Sequence, residues 1–242
     1  MKICILIIYS KNNEYDEMLE IQRNYLNKFK NEELVFYFTE MNNEQRENLE
    51  IIDDFIFVKG EECFLNILKK TVMSMKYILE NDNIDFLIRT NISTIINIKK
   101  LKEFLVTVPK SNYYGSGIYL NLQNIAEPYG VVDNSLFGTI FGQGTCIIFS
   151  KDIFKNICDN YDKLRYDIID DLSIGLYLNS INKDIIKNSS LHQPSMFNSE
   201  LQNIKEISNN YIIYRNRFLS CNKNENRCYD IFNMRYISEI LV

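Results

Sequence analysis

Two adjacent carboxylates, Asp170 and Asp171, head the run DDLSIGLYL, in which Leu172, Ile174, Leu176 and Leu178 accompany one glycine, Gly175. Acidic residues are favoured at a helix amino terminus by the backbone dipole, so one reading of the pair is a simple cap. The other is chemical: a carboxylate facing a pocket can take the proton of an attacking hydroxyl as a general base. A second polar group lies upstream, where the apolar run Phe86 to Ile88 gives way to Arg89, Thr90, Asn91, Ile92 and Ser93. In open α/β sheets, polar residues just past the carboxyl end of a buried strand sit where ligands bind. Arg89 to Ser93 is therefore read as the floor of a site, and Arg89 carries the planar donor fork that suits a diphosphate or a carboxylate. The polar turn from Ser10 to Asn13 follows the first apolar run and is placed where a nucleotide base would lie. Arg23, Lys69 and Lys70 are further basic residues near element ends, although most helix lysines are merely solvated. His192, the single histidine, lies in the loop-like SSLHQPSMF, as readily surface as site.

These residues need elements to position them. Ile3 to Tyr9 reads as a buried first strand, Glu14 to Phe29 as an amphipathic helix, and Leu34 to Phe38 as a second strand. A loop through Asn42, Asn43 and Glu44 leads to a third strand, Asp54 to Val58. Glu61 to Glu80 follows, a helix with Leu65, Leu68, Val72, Met75 and Ile78 on one face, which delivers the chain to the strand at Phe86. Asn97 is placed to cap a helix that continues through Leu101. Strand and helix alternating in this way imply a parallel sheet covered on both sides. No GxGxxG follows the first strand, which argues against a dinucleotide cofactor.

The second half changes character. Pro109 to Leu120 is extended and aromatic, and FGTIFGQGTCIIFS places Gly138, Gly142 and Gly144 ahead of a strand at Cys146 to Phe149. Asp152 to Cys158 opens a helix, and the stretch from Leu201 onward carries no clear pattern.

Bulk properties narrow the classes. The 242 residues, 46% hydrophobic and 24% charged, suit one globular α/β domain of residues 1–242. A net charge of -5 argues against a general nucleic-acid binder. The six cysteines are scattered, with neither zinc spacing nor a disulfide framework, although a late bridge between Cys221 and Cys228 stays open. A single histidine excludes a multi-histidine metal centre. The apolar run at the amino terminus is too short for a signal segment or a membrane span, so a soluble, cytoplasmic protein is expected.

Four segments together resemble the β-1,3-glycosyltransferases of family 31, which include galactosyl-, N-acetylglucosaminyl- and fringe-type enzymes. ECFLNILKKTVMSMKYI resembles DxYxNLTLKTLxGLxW, FLIRTNISTIINIKKL resembles FLLKTDDDTFVNVDRL, FGQGTCIIFSKDIFKNI resembles YxSGGGYVLSRDLVxxL, and DDLSIGLYL resembles the EDVxxG or DDxTIG segment. They keep the family's order across about residues 50 to 180. The resemblance implies a GT-A-type, Rossmann-like nucleotide-sugar-binding fold with a mixed central sheet flanked by helices. Residues 1–100 would form the nucleotide-sugar half and residues 101–242 the acceptor half.

It also implies roles. Asp171 falls at the catalytic-base position with Asp170 beside it, and Lys70 with Thr71 matches the Lys-Thr pair near the nucleotide. Ser10, Lys70, Arg89, Thr90, Asn91 and Ser93 would bind the donor. Gly142, Gln143 and Gly144 would border donor and acceptor, and His192 falls near the metal-binding histidine of fringe-type members. The implied partners are a nucleotide-sugar donor, a UDP-sugar first of all, and a glycan, glycoprotein or other hydroxyl acceptor, with no nucleic acid. One departure is large: Asn91, Ile92 and Ser93 stand where the family has Asp-Asp-Asp. Neutral oxygens hold Mn²⁺ or Mg²⁺ far more weakly than carboxylates do. No tightly bound cofactor is expected, and the outcomes left are metal-independent, inverting transfer or a nucleotide or sugar binder that kept the fold.

Overall fold

The computed structural model describes residues 1–45, 47–119, 136–188, 191, 211–216 and 227–242. β1 (Ile3–Ile8) leads through α1 (Asn13–Asn27) to β2 (Leu34–Asn42), and β3 (Leu49–Ile52) pairs with β4 (Phe55–Lys59). α2 (Ile67–Asn81) precedes β5 (Phe86–Asn91), β6 (Thr94–Ile96) and α3 (Ile98–Thr107). Then come β7 (Tyr113–Tyr119), β8 (Ile140–Ser150), α4 (Lys151–Asp159), α5 (Asp170–Ser180), β9 (Ile186–Lys187), β10 (Ile213–Arg215) and α6 (Arg227–Ile240).

An 8-stranded sheet runs in the order β3-β4-β2-β1-β5-β8-β7-β9, and β6 pairs with β10 as a separate ribbon. The parallel character expected from the alternation holds for β4, β2, β1 and β5, while β8 runs antiparallel against β5. β1 is buried along its whole length because both faces of the sheet are covered. Ile3, Ile5 and Ile7 join the α1, α3 and α6 side, and Cys4 and Leu6 join the α2, α4 and α5 side. Strand order reverses at β1: the chain first adds β2 and β4 on one side and then returns to add β5 on the other, all parallel. That is the switch point whose crevice takes ligands in such sheets.

Capping asparagines fix the helices on one side. Asn12 Oδ1 accepts from Tyr15 N at 2.8 Å, and Asn97 Oδ1 accepts from Lys100 N at 3.1 Å, as the sequence predicts for α3. Close packing fixes α5 on β8. A Cβ on Gly175 would fall on Phe141, whose Cα it would approach at 3.0 Å. Gly175→Ala is therefore expected to destabilise the fold by about 1–3 kcal/mol, the usual cost of overpacking, read as a lower denaturation midpoint at constant slope.

Several boundaries depart from expectation. β5 does not end at Ile88. It continues through Arg89, Thr90 and Asn91, because the polar side chains of Arg89 and Thr90 are buried against partners from β8 and α5. The turn proper is Ile92 and Ser93, followed by the unanticipated β6. α2 starts at Ile67 after a short 3₁₀ turn, not at Glu61, and β8 begins at Ile140 rather than Cys146. β3, β10 and α6 are new. Cys4, Cys146 and Cys158 are buried, as small apolar residues would be, while Cys63 is exposed and Cys221 lies outside the described residues. Among the described residues no helix is long and apolar enough to cross a membrane.

Candidate active site

α5 opens without a side-chain cap from Ile169, and its first two residues, Asp170 and Asp171, turn to different partners. Asp170 Oδ2 accepts from Arg89 Nη2 at 2.6 Å, and the two side chains are only 7% and 5% exposed. Arg89 Nε is buried with no protein partner. Asp171 keeps part of its surface open. Its Oδ2 accepts from Gly144 N at 2.9 Å and its Oδ1 from Leu172 N at 2.9 Å.

The electrostatics of Asp171 follow from this setting. Burial, then the neighbouring Asp170 charge, pushes its carboxyl up to about 7, against the opposing pull of Arg89 and the two backbone N–H groups. A carboxylate poised there suits proton abstraction near neutrality. Gly144 is what lets the group assemble, since a Cβ on it would lie 2.8 Å from Arg89 Nη1 and 3.0 Å from Asp171 Oδ2. The cap reading of the pair is thus only partly met: Asp171 Oδ1 takes its neighbour's N–H, and Asp170 is spent on Arg89.

Next to this group, Thr90 Oγ1 donates to Thr145 O at 2.7 Å. The β5–β6 turn is tightly bonded. Asn91 Oδ1 accepts from Ser93 Oγ at 3.2 Å and from Thr94 Oγ1 at 2.7 Å. Gln22 Nε2, from α1, donates to the carbonyls of Ile92 and Thr94 at 2.8 Å each. Asn216 N donates to Ser93 O at 2.9 Å.

A second group forms at the carboxyl end of β1. Lys70 Nζ, fully buried, donates to Tyr9 O at 2.6 Å and to Glu62 Oε1 and Oε2 at 2.6 and 2.8 Å. Burial lowers the Lys70 pKa, and Glu62 offsets part of that. Ser10 Oγ donates to Glu62 Oε1 at 3.2 Å, and Met41 N donates to Glu62 Oε2 at 3.0 Å. Lys70 and Ser10 thus share a carboxylate rather than touching Arg89 or the Asp170–Asp171 pair.

Comparison with known proteins follows the same architecture. No protein-family model matches the sequence, and no curated protein matches it. Among solved structures, the chain is similar to a glycosyltransferase involved in glycosylation of the major capsid of PBCV-1, with 12% identity, 97% of this chain and 98% of that one covered, and a TM-score of 0.52. The galactosyltransferase LgtC, solved with donor and acceptor sugar analogs, gives 12% identity over 99% and 95% of the two chains at a TM-score of 0.47. The glycosyltransferase GlyE of Streptococcus pneumoniae TIGR4 gives 10% identity and 0.45, with 62% of its chain covered.

The fold is of the GT-A type. On this GT-A scaffold, Asp170, Asp171, Arg89 and Gly144 come together, with Thr90 alongside and Asn91 and Ser93 in the adjoining turn. Gly142 does not join them: a Cβ there would meet Ile185 and Ile147, so its smallness serves the packing of β8. Gln143 lies between the two glycines on β8, and His192 lies outside the described residues. Arg23 is spent on Asp54 and Glu20, and Lys69 Nζ donates to Lys59 O.

Sequence reasoning missed Glu62, Gln22, Thr145, Arg215 and Asn216. Only long-range contacts reveal them, since a lone polar residue in a helix or short strand carries no local signal. Asn91, Ile92 and Ser93 offer a divalent cation no carboxylate. The Asn91 oxygen already accepts two hydroxyl protons, and the Ile92 side chain is in the core. Among the described residues no group of three or more His, Cys, Asp or Glu side chains is arranged to hold a metal ion.

Proposed function

We propose that the protein is a glycosyltransferase that moves a sugar from a nucleotide-diphosphate sugar, a UDP-sugar first of all, to a glycan, glycoprotein or other hydroxyl acceptor, with inversion and without a tightly held metal ion. This reading keeps the family-31 resemblance of the four segments. The observation that carries it is the Asp171 carboxylate, pushed up to about 7 by burial and held by Gly144 N–H beside the buried Arg89–Asp170 pair.

In the proposed step the acceptor oxygen attacks the anomeric carbon as its proton passes to Asp171. The bond from that carbon to the β-phosphate oxygen breaks with its electron pair, and the nucleoside diphosphate leaves. Asp170 holds Arg89 against Gly144 and, by its charge, keeps Asp171 basic. General-base help of this kind is worth roughly 10²–10⁴ in rate.

A second reading, a nucleotide or sugar binder without turnover, draws support from one observation: Lys70 and Arg89, the cations nearest the site by sequence, are each matched by a carboxylate. Incubating the protein with a panel of nucleotide sugars, with and without a chelator, separates the two. Transfer or slow donor hydrolysis, undiminished by chelation, is the expected result. Loss of activity on chelation would overturn metal independence. UDP binding without any turnover would favour the binder, and no nucleotide binding would overturn both.

A further inference from the structure

A groove of about 700 Å³ opens at the edge of the sheet, between the end of α1 and the turn that joins β3 to β4. Its floor is aromatic. Phe55 and Phe57 project from the same face of β4, and their rings stack 5.2 Å apart at 10°. Phe55 is packed against the layer of Ile3, Ile5 and Ile7, whereas among the described residues Phe57 belongs to neither apolar layer and stays half-buried. Arg23 is fixed in the wall: its guanidinium donates to both Asp54 oxygens at 2.8 and 3.0 Å and lies 5.5 Å from the Phe55 ring centre. Asn27 and Lys30, both exposed, extend the α1 side, and exposed Asp53 lines the groove from the β3–β4 turn. Asp53 has a φ of 54°, where glycine or asparagine is the easier choice, so a carboxylate is kept there at some backbone cost. The charges in the lining cancel, Arg23 and Lys30 against Asp53 and Asp54. Ile174 and Leu178 of α5 pack on the other face of the sheet, so the groove is separate from the cleft at Asp171.

We propose that this groove is a second ligand site, distinct from the Asp171 cleft, and that it binds a neutral oligosaccharide. A pyranose ring has a face of C–H groups, which the negative face of an aromatic ring attracts, and a rim of hydroxyls that both donate and accept. Phe57 supplies the platform, Asp53 accepts from hydroxyls, and Asn27 and Lys30 donate to them. An aromatic floor with a few polar groups that set orientation is the usual make-up of a small-ligand site. A nucleotide or an acidic peptide would meet Asp53 and Asp54 along with Arg23 and Lys30, so the lining selects no anion. The site goes beyond the transferase reading and does not rest on it, since a protein without turnover could carry the same groove.

The test is binding of the full chain to an array of neutral and acidic oligosaccharides, followed by calorimetric titration of wild type, Phe57→Ala and Asp53→Gly with the strongest binder, and thermal melts to check folding. The expected result is that the wild type binds neutral oligosaccharides. Phe57→Ala should weaken that binding by roughly 10- to 100-fold, the value of covering an aromatic side chain. Asp53→Gly should weaken it by roughly 10-fold or more, the value of a hydrogen bond to a charged group. Glycine suits the positive φ at this position, so the second variant decides the matter if the first fails to fold. Donor turnover should be the same in all three proteins, because the groove and the Asp171 cleft lie on opposite faces of the sheet. Oligosaccharide affinity equal in all three would overturn the groove as the site. Binding confined to acidic oligosaccharides, or no binding to the array at all, would overturn the proposal. None of these results touches the transferase reading, which stands or falls on donor turnover.

Discussion

Asp171→Asn is expected to lower sugar transfer by roughly 10²–10⁴ while leaving UDP affinity close to that of the wild type. The amide keeps the shape of the carboxylate and its oxygen can still accept the Gly144 N–H, so what is lost is the ability to take a proton. The pH profile gives the sharper readout. A base works only when deprotonated, so wild-type kcat/KM should climb with pH and level off above about 7, and the residual activity of the asparagine variant should lack that step. Stability should move the opposite way. The folded carboxyl is raised above its unfolded value near 3.9, so the folded state binds more protons between about pH 4 and 7 and loses stability as pH rises through that window. Asp171→Asn should accordingly melt no lower than wild type at pH 8. Full activity in the asparagine variant would remove Asp171 from the mechanism.

Asp170→Ala should have the largest effect on stability, about 3–5 kcal/mol, because it strands the Arg89 guanidinium in a site where its exposure is only 5%. For a chain of this size that corresponds to a fall in Tm of roughly 10 °C. The paired change Arg89→Met with Asp170→Leu should recover much of the loss, since apolar residues of similar volume avoid the cost of burying charge. Denaturant melts of the two single variants and the double variant measure this directly. A double variant no better than the sum of the singles would show that the pair does more than cancel its own charges. Asp170→Asn, where it folds, should also shift the Asp171 titration downward, because the Asp170 charge is the second cause of its elevation.

Much of this arrangement was legible in the chain itself. β1, α1, α4 and α5 follow from unbroken apolar runs or helical spacing, and the α3 cap from a single asparagine. β5 was cut short because Arg89 and Thr90 look like turn residues until their partners are known, and those partners lie 81 and 55 positions away. A local pattern cannot report a pairing of that span. β3, β6 and β10 are too short to show a period, and Asp53, with φ of 54°, marks the turn between β3 and β4 only in hindsight. α6 was missed although Ile231, Met234 and Ile237 recur at helical spacing, because the polar residues around them mask the period. At the site, the sequence placed Asp171 and Arg89 in one neighbourhood but not the pairing that sets their chemistry. Arg89 is neutralised by Asp170, and Lys70 by a Glu62 that no motif singles out.

One feature of the architecture bears on how the polypeptide is made. α6 packs on α1, far away in sequence: Arg235 pairs with Glu17, and Arg227 donates to Tyr15 Oη at 3.0 Å across 212 positions. Met234 and Ile237 complete the same apolar layer as Ile3, Ile5 and Ile7. A ribosome releases Arg227 to Ile240 long after β1, α1 and β2 have emerged, so the part of that layer which α6 covers stays exposed until α6 itself is made. Nascent chains stalled before α6 should engage chaperones and be cut readily by protease, and α6 should act as the latch that ends this exposure.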